Sequence, residues 1–161
     1  MIRVVKAGSL HVRDMAEMLN EIIAAGGTTA LSKPVLSEDM AVWMKRSPDR
    51  SAWHVAEDKG GQVVGFQWIE PASYLPDDAA EIATFARIGH TGLGIGSRLF
   101  EATRKAARDL GYSWINANIR ADNAGGLAYY QSRGFETYGT KTGVEMANGL
   151  KVDKVLKRFD L

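Results

Sequence analysis

The chain has 161 residues, 45% apolar and 24% charged, a balance that suits one globular domain with its own core. Its 20 Lys and Arg nearly cancel 19 Asp and Glu, so a net charge of +1 leaves no electrostatic footprint for nucleic acid. Without cysteine there is no disulfide, thiolate metal site or thiol nucleophile; His11, His54 and His90 lack metal-ligand spacing, and no metal is expected.

The amino-terminal MIRVVKAGS has no long apolar stretch of the signal-peptide kind, and no run reaches ~18 apolar residues, so no membrane partner and a cytoplasmic location are expected. Residues 2–6 read as a short strand rich in β-branched side chains. Val12, Met15, Leu19, Ile22 and Ile23 recur at helical spacing across 10–25, and Gly26-Gly27 stops that helix. A loop with Pro34 covers 28–36. Ser37 is expected to cap a second helix, with Glu38 and Asp39 near its positive dipole end, and that helix ends before Ser47-Pro48. Residues 52–57 and 62–69 form a hairpin around Asp58-Lys59-Gly60-Gly61. A loop over 70–78, with Pro71 and Pro76, leads to a third strand over 80–88. The glycine-rich run 89–96 enters a helix that reaches Leu110. Its buried stripe reads as Ile95, Leu99, Thr103, Ala106 and Leu110, with Arg98, Arg104, Lys105 and Arg108 outward and Gly111 as its stop. Residues 113–119 are a strand. Asp122 or Asn123 caps a short helix to Arg133, closed by Gly134. Two last strands, 135–144 and 150–159, are joined through Asn148-Gly149, a pair favoured in type I′ turns. The order β-α-α-β-β-β-α-β-α-β-β alternates only in its second half, so the expected α/β (α+β) domain over 1–161 has a mixed sheet.

The segment Thr91-Gly92-Leu93-Gly94-Ile95-Gly96-Ser97 lies between a strand and a helix. The first N–H groups of a helix have no intrahelical partner, sit at the positive end of its dipole and bind phosphate. Glycines let the main chain approach a pyrophosphate without a clashing Cβ. A diphosphate ligand is expected here, set against the plainer reading of a tight turn that needs glycines. The spacing is G-x-G-x-G, not the dinucleotide G-x-G-x-x-G, and no βαβ unit precedes it. Gly89 and Gly94 have the gap of a P-loop, but Ile95 stands where its Lys is required.

On these residues the chain resembles the GCN5-related N-acetyltransferase family. That family's pyrophosphate motif, Q/R-x-x-G-x-G/A, is matched by Thr91-x-x-Gly94-x-Gly96, with Thr91 replacing the usual Gln or Arg. A second cue, an Asn seven residues before a Tyr and then Gly-Phe, is matched by Asn123, Tyr130 and Gly134-Phe135. Asn20, Gly27-Thr28-Thr29 and the Ser37-led helix look like the phosphinothricin/methionine sulfone acetyltransferase branch. The resemblance implies a mostly antiparallel central sheet flanked by helices, acetyl-CoA as cosubstrate, a small-molecule amine as acceptor, and a homodimer.

It also implies roles. Main chain at Phe85, Ala86 and Arg87 would meet the pantetheine arm and thioester. Residues Thr91, Gly92, Leu93, Gly94, Ile95, Gly96 and Ser97 would cradle the diphosphate. Asn123 would bond the pantetheine or cap its helix. Tyr130 would be the general acid, protonated at pH 7 with an ordinary pKa of ~10, unless it only packs beside Tyr129. Glu81, at the start of the central strand, would be the general base, directly or through water, with Glu70 and His90 as other candidates. Thr28, Thr29, Trp68 and Glu70 are expected at the acceptor. Arg87 is a candidate for a substrate carboxylate, and Trp43 and Met44 read as core or dimer packing. The expected activity is acetyl transfer to the amine of an amino acid or its analogue. A protein N-acetyltransferase and a non-catalytic acyl-CoA-binding module are the alternatives.

Overall fold

The computed structural model describes residues 2–90 and 94–161. The elements are β1 (Arg3–Lys6), α1 (Val12–Ala25), α2 (Ser37–Lys45), β2 (Ala52–Glu57), β3 (Val63–Glu70), β4 (Ala79–Ala86), α3 (Ile95–Asp109), β5 (Trp114–Arg120), α4 (Ala124–Ser132), β6 (Glu136–Glu145) and β7 (Lys151–Asp160). They follow the order read from the sequence. The seven strands form one sheet in the order β1-β2-β3-β4-β5-β7-β6. Each neighbouring pair is antiparallel except β4 and β5, which are parallel.

Helices cover both faces. Met15, Met18, Leu19 and Ile22 of α1 repeat at helical spacing and, with Met40 of α2, pack on Trp53, Val55, Phe66 and Trp68. On the other face Phe100 and Ala107 of α3 pack with Ile69, Ala80, Ile82 and Ile115. Ile95 and Leu99 rest on Ala56 and Val64. The stripe of α3 is rotated from the expected one: Phe100 and Ala107 are buried, whereas Ala106 and Leu110 are half-buried. Phe100 pulls the helix round because its ring meets Phe135 at 5.4 Å and Phe159 at 5.1 Å.

Two local expectations are corrected. Leu36, not Ser37, is the N-cap of α2, because the Asp39 carboxylate reaches back to accept from the Leu36 N–H at 3.0 Å. The β6–β7 turn is not type I′, which needs positive φ at both central residues; here only Gly149 has it. Met146 C=O accepts from the Gly149 N–H at 2.9 Å, and Asn148 Oδ1 accepts from the Leu150 N–H at 3.0 Å. The Asn side chain thus stabilises a wider loop than the tight pair would make.

The parallel pair is the feature that builds a site. β4 and β5 pair only over Ala79↔Trp114, Ala80↔Ile115 and Glu81↔Asn116. β4 runs on to Ala86 and β5 to Arg120, so beyond Glu81 the two strands part. Tyr130 of α4 packs among Ile82 and Ile119, one residue from each diverging strand.

Candidate active site

Where β4 and β5 diverge, a cleft of ≈ 1150 Å³ is lined from both faces of the sheet. Its α3–α4 side begins at Gly94, the N-cap of α3. Gly94 has φ 77°, and nothing stands within 4 Å of where its Cβ would be. The first internal bond of α3 runs from the Arg98 N–H to Gly94 C=O at 3.1 Å. The amides of Ile95, Gly96 and Ser97 therefore have no intrahelical acceptor. Gly94, Ile95, Gly96 and Ser97 all line the cleft, although the Ile95 side chain is turned into the core and Ser97 Oγ accepts from Arg133 Nη1 at 2.6 Å. Thr91, Gly92 and Leu93 lie outside the described residues.

Gly96 answers to a neighbour instead of to backbone conformation. A Cβ there would stand 2.5 Å from Cε1 of Tyr129 and 3.1 Å from its Cζ. The Tyr129 hydroxyl donates to Gly96 C=O at 2.7 Å and accepts from Gln67 Nε2 at 3.0 Å. Gln67 Nε2 also donates to Thr84 Oγ1 at 2.8 Å, and Thr84 Oγ1 lies 2.8 Å from the Tyr130 hydroxyl. Since both Gln67 amide protons are in use, Thr84 can give its own proton to the Tyr130 oxygen. The Tyr130 proton is then free to point into the cleft. Burial lifts the Tyr130 pKa well above the ordinary 10, and that of Tyr129 is pushed up to about 12, again by burial. Both phenols are thus protonated at neutral pH, Tyr130 more firmly than its sequence position alone suggests.

β4 supplies main chain. The Arg87 N–H donates to Val64 C=O at 2.8 Å, next to the Gly65↔Ala86 register. In an antiparallel ladder bonded and non-bonded pairs alternate, so Phe85 also points its main chain at β3, whereas Thr84 and Ala86 direct theirs at the opened edge. Of the trio Phe85, Ala86 and Arg87, only Ala86 turns its main-chain groups to that edge, and Thr84 does the same. Phe85 contributes its ring, 5.2 Å from Phe66 and 5.8 Å from Trp68. Arg87 does not line the cleft: Nε and Nη2 donate to Val63 C=O at 3.1 and 3.0 Å, and Nη1 meets Glu21 at 3.4 Å. It is already paired, so it is not the carboxylate ligand considered from the sequence.

The α1–α2 face carries acid groups. Glu70 and Glu81 are cross-strand partners on β3 and β4 and share a face. Glu70 is the last residue of β3, not part of the loop expected to start there. It accepts from Trp68 Nε1 at 2.8 Å and Arg46 Nη2 at 3.0 Å. Glu81 accepts from the Tyr74 hydroxyl, which in turn accepts from Asn116 Nδ2 at 3.0 Å. Burial raises the Glu81 pKa, the Tyr74 hydrogen bond lowers it, and the Glu70 charge raises it further. Trp68 stacks on Trp53 at 4.1 Å, and Trp43 sits 6.2 Å from Trp68; Trp43 packs against the core and also lines the cleft, and Met44 packs against the same core. His90 donates its main-chain N–H to Arg87 C=O at 3.0 Å, its ring lies 3.5 Å from Ile88 C=O, and among the described residues it is not part of the cleft lining.

The α1–α2 loop roofs this side. Asn20 grips its far end, with Nδ2 donating to Val35 C=O at 2.8 Å and Oδ1 accepting from the Val35 N–H at 2.7 Å. Thr28 C=O accepts from Asn123 Nδ2 at 3.1 Å, and Thr29 C=O accepts from Arg120 Nη1 at 3.1 Å. Asn123 also caps α4 through Oδ1 and the Gly126 N–H at 3.0 Å. A Cβ on Gly126 would lie 2.5 Å from Asn123 Nδ2, so this first-turn glycine makes room for the cap. Sequence reasoning missed Gln67, Thr84, Tyr74, Arg120 and Lys154. A lone amide in the apolar run VVGFQWIE was a signal for Gln67; nothing local marked the others.

A mixed sheet parted at its parallel pair, with helix amides that have no intrahelical acceptor on one side and buried phenol and carboxylate groups beside the gap, is the architecture of an acyl-CoA-dependent acyltransferase. The pattern described as the acetyltransferase (GNAT) family matches residues 16–135, and the chain belongs to that family. It is accordingly an acetyl-CoA-dependent N-acyltransferase. Bacillus subtilis (strain 168) YwnH, provisionally named a phosphinothricin acetyltransferase, is 29% identical over 144 residues, 86% of this chain and 87% of that protein. A ribosomal-protein-alanine N-acetyltransferase from Brucella melitensis superimposes with TM-score 0.89 and 25% identity, covering 99% of each chain. A phosphinothricin acetyltransferase from Sinorhizobium meliloti, solved in complex with acetyl-CoA, superimposes with TM-score 0.86 at 20% identity over 99% of this chain and 88% of that one.

Proposed function

We propose that the chain transfers the acetyl group of acetyl-CoA to the amine of a small molecule, an amino acid or its analogue. The observation that carries this reading is the cleft itself, which brings the first amides of α3, without an intrahelical acceptor, the opened edge of β4, Tyr130 and Glu81 to one gap. The diphosphate fits the Ile95, Gly96 and Ser97 amides at a helix N-terminus, where Gly94 leaves the approach open. The pantetheine arm fits along β4 as an added strand, with Ala86 and Thr84 offering main-chain N–H groups to the thioester oxygen as it gains charge.

The acceptor amine enters from the α1–α2 face. Glu81, directly or through a water, takes a proton from the ammonium, because a protonated amine has no lone pair. The nitrogen attacks the thioester carbon; a C–N bond forms, and the C–S bond breaks. The sulfur leaves as thiolate against the Tyr130 hydroxyl and takes up the second proton shed by the acylated nitrogen, while Glu81 returns the first to water, giving the acetylated amine and free CoA. With its pKa raised, Tyr130 is a weaker acid than a thiol of ~8.5, so its main effect is a hydrogen bond to the charge growing on sulfur.

A small acceptor is supported by the roof: Thr28 and Thr29 are tied through their carbonyls to α4 and β5 across the cleft. The likeness to a ribosomal-protein-alanine N-acetyltransferase favours a second reading, a peptide N-terminus. Free-thiol release from acetyl-CoA, read against amino acids, methionine sulfone, phosphinothricin, polyamines and peptides with free N-termini, separates the two. Turnover of peptides alone would overturn the small-amine reading.

A further inference from the structure

On the acceptor side of the cleft the cations of the described residues are paired, with one exception. Arg46 holds Glu70 at 3.0 Å. Arg120 is bidentate to Asp122, at 3.0 and 2.8 Å, and also holds the roof at Thr29. Lys141 lies 4.3 Å over the ring of Tyr74. Lys154 lines the cleft and is 8% exposed, yet no carboxylate of the described residues comes within 4.0 Å of its ammonium. Most of its side chain is enclosed and its ammonium is partly withdrawn from water, which without a carboxylate partner is unfavourable.

Its position is specific. Lys154 on β7 stands opposite Arg120 on β5 and opposite Lys141 on β6, so the three form one cationic row on the face of the acceptor. Glu81 stands opposite Asn116, four residues earlier on β5, which is about 13 Å of extended strand. The face therefore carries both signs: Glu70 and Glu81 lie toward the paired end of β4 and β5, and Lys154 lies toward the parted end, unpaired but near enough for the Glu81 charge to act on it. The diphosphate site at α3 is on the opposite face of the sheet, so the cofactor's own anions are not the partner this geometry offers. Burial and the Arg120 charge depress the Lys154 pKa, and the Glu81 charge supports it; a bound anion would support it further.

We propose that Lys154 is the anion-recognition residue of the acceptor pocket. The substrate is then a small amine that also bears a carboxylate or comparable oxyanion, held with the amine toward Glu81 and the oxyanion on the Lys154 ammonium. This rests on the small-amine reading above and adds to it which residue selects the substrate class and how the acceptor is oriented.

The test uses matched acceptors with the full chain and acetyl-CoA. The proteinogenic L-amino acids, methionine sulfone and phosphinothricin are each set beside the carboxamide and the decarboxylated amine of the same skeleton. The native protein should prefer the acid member by about 10–100-fold in kcat/KM, the contribution of a charge-assisted pair. Lys154→Met should erase that preference, chiefly through KM, and Lys154→Arg should keep most of it. The Tm of Lys154→Met should hold or rise, since a desolvated charge is removed, and its CoA affinity by calorimetry should not change. Equal turnover of acids, amides and decarboxylated amines by the native protein would overturn the proposal while leaving the acetyltransferase reading intact. A loss of CoA affinity in Lys154→Met would also overturn it, by assigning the ammonium to the cofactor. Turnover of none of these amines, with CoA still bound, would sink the small-amine reading and this proposal together.

Discussion

Gly96→Ala is a small change with a large expected effect, because the new Cβ would stand 2.5 Å from a ring carbon of Tyr129. The ring cannot yield cheaply: its hydroxyl is fixed to Gly96 C=O at 2.7 Å and to Gln67 at 3.0 Å, and the ring meets Tyr130 at 4.9 Å. Overpacking of this kind costs about 1–3 kcal/mol. Each hydrogen bond lost with the ring's movement adds roughly 0.5–1.5 kcal/mol. Alanine in a helix gives back about 0.5–1 kcal/mol over glycine. The net is a destabilisation of about 1–5 kcal/mol, each kcal/mol lowering Tm by about 2–4 °C in a chain of this size. Urea melts followed by tryptophan fluorescence measure it. The decisive arm is the cycle with Tyr129→Ala: without the ring there is no clash, so Gly96→Ala should become neutral or stabilising, and the sign of its effect reverses. Equal destabilisation by Gly96→Ala in both backgrounds would refute the claim that Gly96 exists to seat Tyr129. Gly94→Ala is the contrast. It meets nothing within 4 Å and pays only for its left-handed backbone, about 1–2 kcal/mol, whether or not Tyr129 is present.

Tyr130→Phe removes the hydroxyl beside Thr84 but keeps the ring in its core. It should lower kcat about 100-fold or more with little change in CoA affinity by calorimetry, and unchanged turnover would remove Tyr130 from the reaction. Tyr74→Phe deletes the hydrogen bond that lowers the Glu81 pKa. A base is active only when deprotonated, so the acid limb of the kcat/KM profile, already above the ordinary carboxylate range, should move to higher pH; an unmoved limb would mean that Glu81 is not the titrating base.

Much of this was legible in the sequence for identifiable reasons. Period-3.6 apolar spacing exposed α1, and glycine punctuation exposed the start of α3 and the end of α4. The order of elements ruled out a doubly wound sheet. What remained hidden depended on contacts between distant residues. The parting of β4 from β5 leaves no local mark, because Ile82 and Ala86 read as ordinary strand. Gly96 looked like part of a phosphate motif, yet its missing side chain is explained by Tyr129, 33 positions away. Arg87 looked free because neither Glu21 nor the Val63 carbonyl is near it in sequence. Lys154 was one lysine in an alternating strand, and only the β5–β7 register sets it opposite Arg120.

The most direct measurement is a crystal structure of the chain with acetyl-CoA. The diphosphate should accept from the main-chain N–H groups of Ile95, Gly96 and Ser97 at about 3 Å. The thioester oxygen should lie against Ala86 or Thr84 N–H, with the sulfur facing Tyr130. A cofactor held by side chains elsewhere, with the amides of α3 left to water, would contradict the account.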